Sequence, residues 1–180
     1  MTIRGKFIFH NFENAMSLYP FEISRELKDT RFNMCTFRVH PETKEKTEIK
    51  GCENALNAGA STWRHFVKNG KHEKIVVIGH SFGGVVTMRL ASMFEEDFVN
   101  RVALIMLTDS VHGFCEIPES VSEKTFNFVT SDKPLDADLG EDDNGIAIKS
   151  AGHTVHEWTP SSTRPCLFKY VDKFVFKSDK

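Results

Sequence analysis

With 180 residues, 40% hydrophobic and 27% charged, the chain has the size and balance of one soluble globular domain with a substantial core. A formal net charge of −2 supplies no field to hold nucleic acid or an acidic membrane, and no apolar run approaches the roughly 18 residues of a membrane span. The cysteines at 35, 52, 115 and 166 lack both paired C-x-x-C spacing and the density of a disulfide scaffold, so reduced thiols are expected.

In chain order, KFIFH (Lys6 to His10) reads as a short strand within an opening, MTIRGKFIFHNFE, that has no small-residue cleavage site; the chain is therefore expected to be intracellular. Phe21 to Lys28 carries a weak helical pattern after Pro20, and FNMCTFRV (Phe32 to Val39) reads as a second strand. The charged piece HPETKEKTEIKG is then a surface connection. Glu53 to Lys68 is predicted helical despite Gly59, because Leu56, Ala60, Trp63 and Val67 recur three or four residues apart.

Lys74 to Ile78 reads as a buried strand by its apolar run. Gly79 to Gly84 leads from it into a helix from Val85 to about Phe98, with Val86, Leu90, Met93 and Phe94 on one broad face. RVALIMLT (Arg101 to Thr108) is another buried strand, and two apolar strands joined by such a helix form a right-handed, parallel βαβ unit. Lys124 to Thr130 and Gly145 to Ser150 read as later strands, separated by the acidic, turn-rich SDKPLDADLGEDDNG, which is expected to be an exposed loop. Leu167 to Phe176 is expected to form a helix closing over the sheet. With no repeat and no boundary in composition, residues 1–180 read as one α/β domain.

Gly79 to Gly83 spells G-x-S-x-G. A strand that turns at once into a helix brings the backbones two residues either side of the serine together, so both positions need glycine. That makes Ser81 a candidate nucleophile on a strained turn. Its hydroxyl would need an imidazole, and the imidazole an acid, in the chain order Ser, acid, His. His153, just beyond the last strand, is the expected base, with His156 as the alternative. The expected acid is Asp132, with Asp109 and Asp136 also open; Asp109, closing a strand, equally suits a turn cap.

The Phe82 N–H is the expected oxyanion donor, aided by the positive end of the following helix. A second donor would come from around Asn11 or Phe12, where no HGGG stretch stands. His80 reads as packing beside the turn and Trp158 as a loop anchor. His153 and His156 have no cysteine nearby and no H-E-x-x-H helix, so neither metal nor cofactor is expected.

Four stretches in order, IGHSFGGVVTMRLA, NRVALIMLTDSVHG, SDKPLD and SAGHTVHEWTP, resemble the Argonaute-binding protein 2 domain family of cotranscriptional regulators, most strongly over residues 73–174. The resemblance implies a truncated α/β-hydrolase-like fold, with a mainly parallel central sheet of about six strands flanked by helices. In the parent fold's numbering the strand order would be 4-3-5-6-7-8. It places Ser81 in the family's H-S-aromatic-G-G element, Asp109 in D-S-x-H, and the pair His156 and Glu157 after the final strand. This chain departs from longer relatives in its shorter N-terminal portion and in HPETKEK, which stands where they carry an asparagine-proline turn.

The family is connected with Argonaute, small-RNA silencing, heterochromatin and splicing, which implies protein partners of those kinds in nucleus and cytoplasm. Direct nucleic-acid binding and membrane association are not expected. Two functions remain open. The first is a regulatory interaction domain that presents the loops around Asp109, Asp132 and Glu157. The second is a serine esterase or acyl hydrolase built on Ser81 and His153.

Overall fold

The computed structural model describes residues 6–10, 30–33, 37–39, 42–43, 45–48, 50–71 and 73–176. Strand β1 (Lys6–His10) pairs in parallel with β2 (Thr30–Asn33); a separate antiparallel pair joins β3 (Phe37–Val39) to β4 (Lys46–Glu48). The expected strand over Phe32 to Val39 is thus divided between two sheets, and the charged connection after it contains β4. The helix expected over Phe21 to Lys28 lies outside the described residues.

Helix α1 (Ala55–Thr62) starts at Asn54, whose side chain accepts the Asn57 N–H at 2.9 Å, and its end widens into a π-helical turn over Trp63–Val67. Strand β5 (Ile75–His80) leads into α2 (Phe82–Met93). Phe94 then leaves helical geometry at φ −127 and ψ 45, and α3 (Glu95–Asn100) follows, so the single predicted helix is two. The break turns the Phe94 ring onto buried Trp63 at 5.9 Å, while Phe98 stacks on the same indole at 4.7 Å. Tertiary packing of these rings decides what helical periodicity alone would have continued.

Strand β6 (Val102–Thr108), the short α4 (Glu119–Ser122), β7 (Thr125–Val129), β8 (Asp138–Glu141) and β9 (Ala147–Ser150) follow. A 3-10 turn at His156–Trp158 leads to α5 (Thr159–Ser162) and α6 (Arg164–Val171), which ends in a π-helical turn over Asp172–Phe176. The main sheet has the order β2-β1-β5-β6-β7-β9-β8, parallel except for the β8–β9 pair. Its six parallel strands follow the expected order, a mostly parallel sheet flanked by helices of truncated α/β-hydrolase-like type. The antiparallel edge strand β8 lies within the acidic segment expected to be an exposed loop. It is largely exposed and its pairing with β9 is irregular, so no apolar alternation marks it in the sequence.

Burial on both faces explains the unbroken apolar runs of the central strands. Ile75 and Val77 of β5, with Ile105 and Leu107 of β6, join a core with Trp63, Val86, Leu90 and Phe98. The alternate residues Val76, Ile78, Leu104 and Met106 join Phe128, Leu167 and Tyr170 on the other side. No helix among the described residues is long and apolar enough to cross a membrane.

Candidate active-site elbow and its loops

All three non-glycine residues with positive φ, Ser81 (53°), Asp109 (42°) and Asp136 (70°), lie in or beside the loops at the carboxyl ends of the parallel strands, among the described residues. That edge is where α/β sheets place their sites. Ser81 has φ 53 and ψ −119, a sparsely populated combination for a residue with a side chain, and α2 begins at the next residue. Gly79 is required by contact as well as by pattern: a Cβ there would stand 2.9 Å from the carbonyl carbon and oxygen of Gly83. Ser81 N–H donates to Thr108 O at 2.9 Å, tying the turn to the end of β6, and the Ser81 side chain makes no capping hydrogen bond.

Phe82, the expected oxyanion donor, is the first residue of α2, so its N–H belongs to the positive helix end. Asn11 and Phe12, the region named for a second donor, lie outside the described residues.

Asp109 follows β6 directly and its carboxylate bridges two loops. Oδ1 accepts the Thr130 N–H at 2.7 Å, just past β7, and Oδ2 lies 3.1 Å from His156 Nδ1, past β9. A carboxylate at Nδ1 makes that nitrogen the donor in neutral imidazole, which leaves the lone pair on Nε2, the orientation of a triad histidine. The His156 ring also lies 4.5 Å from that of His80, the residue before Ser81.

The structure therefore brings the carboxylate to His156, the sequence-level alternative, and not to His153. His153 Nδ1 accepts the Val155 N–H at 3.0 Å within its own loop, and its ring lies 6.1 Å from Trp158. Asp132 is exposed and makes no hydrogen bond or ion pair among the described residues. Asp136 instead receives Lys169 Nζ at 2.6 Å and the Tyr170 hydroxyl at 2.8 Å, anchoring α6 to its loop. Asp109 wins the imidazole because β6 lies between β5 and β7, which puts its end beside both the elbow and the later loops. Ser81 and the His156–Asp109 pair share one edge, but among the described residues no hydrogen bond closes them into a triad.

A second polar chain, not evident from the sequence, lies beneath the loop after β6. Ser110 Oγ lies 2.5 Å from His112 Nδ1, and His112 Nε2 lies 3.0 Å from Asp142 Oδ2, with the imidazole almost fully buried. The D-S-x-H spacing held the first half of that signal; Asp142 is 30 residues away in sequence. Among the described residues there is no group of three or more His, Cys, Asp or Glu side chains placed to hold a metal ion.

His80 Nδ1 lies 3.0 Å from both the carbonyl and the hydroxyl of Thr108; the carbonyl can only accept, so Nδ1 carries the proton. Burial, and then the neighbouring His156, pull the His80 pKa below its ordinary 6.5, against the opposing Thr108 carbonyl and Asp109. The unfolded chain therefore takes up the proton first. Stability contributed by neutral His80 is whole above pH 6.5 and is lost as pH falls toward the lower folded-state value. Urea titrations at a series of pH values should show this acid slope, at most about 1.4 kcal/mol per pH unit, flattened in His80→Asn. An unchanged slope would mean that other groups carry it.

The sheet order, the seryl elbow between β5 and α2, and the carboxylate that closes β6 make this an α/β-hydrolase-like protein. Within that class, the chain is homologous to the ARB2 cotranscriptional regulators. It is 39% identical over 131 residues to the cotranscriptional regulator ARB2A homolog of Dictyostelium discoideum, a match covering 68% of this chain and 34% of that protein. Cotranscriptional regulator ARB2A of Mus musculus is 29% identical over 157 residues, covering 83% of this chain and 38% of that protein. The Homo sapiens protein of the same name is 32% identical over 114 residues, 60% of this chain and 27% of that one.

The chain thus spans about a third of the length of the curated relatives it matches. No family model matches it. Among solved structures, the epoxide hydrolase CorEH without ligand superposes with a TM-score of 0.42 at 16% identity, covering 66% of this chain and 41% of that one.

Proposed function

We propose that this chain is a regulatory protein-interaction domain on an α/β-hydrolase scaffold, acting in cotranscriptional control as its relatives' names describe. The observation that supports this most is the use made of Asp109. Its carboxylate is divided between a backbone N–H and His156, so it braces three strand-end loops into one surface with, among the described residues, no hydrogen-bonded route to Ser81. Homology to proteins named as regulators supports the same reading. In its finer form, the surface around Asp109, Asp132 and Glu157 receives an Argonaute, chromatin or splicing protein, in nucleus and cytoplasm.

A second reading has its own observation. The strained Ser81 backbone and the outward lone pair of His156 favour an acyl hydrolase, because a fold used only for binding has no evident need of either. Ser81 Oγ would attack an ester carbonyl while His156 or His153 takes its proton, with Asp109 or Asp132 orienting that imidazole. The Phe82 N–H would stabilise the oxyanion, the leaving alcohol would take the proton back, and water would release the acid.

Labelling with a fluorophosphonate separates the two. For an interaction domain we expect no Ser81-dependent labelling, with the wild type, Ser81→Ala, His153→Ala and His156→Ala indistinguishable. Strong labelling of the wild type that is lost in Ser81→Ala and in one histidine variant would establish the hydrolase and identify its base.

A further inference from the structure

The first part of the loop after β6, residues 110–114, is built inside out. Its polar side chains point inward: Ser110 and His112 run to Asp142, and Ser110 N–H donates to Asn127 Oδ1 at 3.2 Å. Cys115 and Ile117 pack on the core, but two apolar side chains point outward, with Val111 60% and Phe114 73% exposed. A loose loop would turn Phe114 inward to gain burial. This one is strutted on both sides. Val111 N–H reaches Ser81 O at 3.4 Å, Cys115 N–H donates to Asn144 Oδ1 at 2.7 Å, and Asn144 Nδ2 donates to Gly113 O at 3.3 Å. The two apolar side chains are therefore presented by a braced backbone, which removes much of the ordering cost of association.

The exposed charge beside them is acidic. Residues 110–116 and 141–144, the stretches that the network joins, contain Glu116, Glu141, Asp142 and Asp143 and no Lys or Arg; Asp142 is held by His112. Glu116, Glu141 and Asp143 among them are exposed. Two copies of this surface would set like charges against each other, whereas a basic partner would be drawn in.

We propose that Val111 and Phe114 are the anchor pair of a docking surface for a basic protein segment, one that offers an apolar stripe flanked by Lys or Arg. The buried Ser110–His112–Asp142 chain is its pedestal. This rests on the interaction-domain reading and names the part of the surface that grips; Ser81 has no role in it.

The defined probe is a fluorescent amphipathic helical peptide of leucine and lysine, with leucines at i, i+3, i+4 and i+7 and lysines elsewhere, alongside the same peptide with glutamate for lysine. The lysine peptide should bind the wild type, lose at least about ten-fold in affinity to Phe114→Ser or Val111→Ser, and weaken further with salt. The glutamate peptide should not bind. Because Phe114 is exposed, Phe114→Ser should keep the wild-type melting temperature, so the comparison reads binding alone.

His112→Asn, which leaves the apolar pair untouched, should speed amide exchange at residues 111–114 and weaken the probe as well. Equal affinity of wild type and Phe114→Ser, or no binding of the lysine peptide, would overturn the anchor. So would self-association of the wild type that Phe114→Ser abolishes, since that would assign the surface to a second copy. None of these outcomes depends on labelling of Ser81, so failure of the anchor and failure of the interaction reading can be told apart.

Discussion

Gly84→Ala should destabilise the fold by about 3 kcal/mol, because it forces a methyl into a contact that has no room for it. A Cβ at Gly84 would stand 1.6 Å from Ser110 Oγ and 2.5 Å from Ser110 Cβ. Rotating the hydroxyl removes the first clash but not the second, so the loop itself must lift away from α2. That movement pulls Ser110 from His112 and loosens the link from Val111 N–H to the Ser81 carbonyl. In a chain of this size the melting temperature should fall by roughly 6–12 °C. Pairing the change with Ser110→Gly removes the obstructing side chain and should restore a large part of the loss, which a thermal-melt double-mutant cycle would measure. A wild-type melting temperature in Gly84→Ala would show that Ser110 does not pack on this helix.

Asp109→Ala should cost a similar amount, about 3 kcal/mol, for different reasons. The carboxylate is only 11% exposed and accepts from both Thr130 N–H and His156 Nδ1. Removing it leaves a backbone donor and an imidazole without their partner. It also leaves Ala at φ 42, where an Asp or Asn side chain is better tolerated. Asp109→Asn keeps an acceptor for Thr130 N–H and the tolerance for left-handed backbone, so it should cost only about 1 kcal/mol. Hydrogen exchange provides the local reading: the Thr130 amide should lose protection in the Ala variant and retain it in the Asn variant. Equal protection in both would mean that Asp109 does not hold the β7 loop.

These two substitutions meet at one structural idea, that the loop after β6 is the keystone of the carboxyl edge. It touches the elbow through Ser81, the β7 loop through Thr130 and the β9 loop through His156. On the opposite side it reaches the turn before β9 through Asp142 and Asn144. The same bracing that supports an interaction surface would also be what an enzyme needs to hold a histidine in one tautomer. For that reason the Ser81 hydroxyl, and not the stability of these loops, decides between the two functional readings.

Much of the architecture is legible in the sequence. The apolar runs over residues 74–78 and 101–108 mark two central parallel strands, buried on both faces, while the order of all six strands is what the family resemblance implies. Less was legible at the edges. β8 carries an exposed, acidic sequence that looks like a turn, because an edge strand is held by backbone hydrogen bonds rather than by buried side chains. The break at Phe94 was equally hidden, since helical spacing continues through it and only the Trp63 indole gives that ring a reason to leave.

By itself, the sequence determined the seryl elbow: glycine at 79 and 83 answers a steric demand between residues four apart, and such local geometry is written in neighbouring letters. Only the tertiary structure decided that Asp109 meets His156, 47 residues on, while His153 turns to its own loop and Asp136 to α6. It likewise turned Phe114 outward over a buried histidine. Which carboxylate reaches which imidazole depends on the paths of three loops over neighbouring strands, and those paths are set by packing across the whole sheet rather than by spacing along the chain.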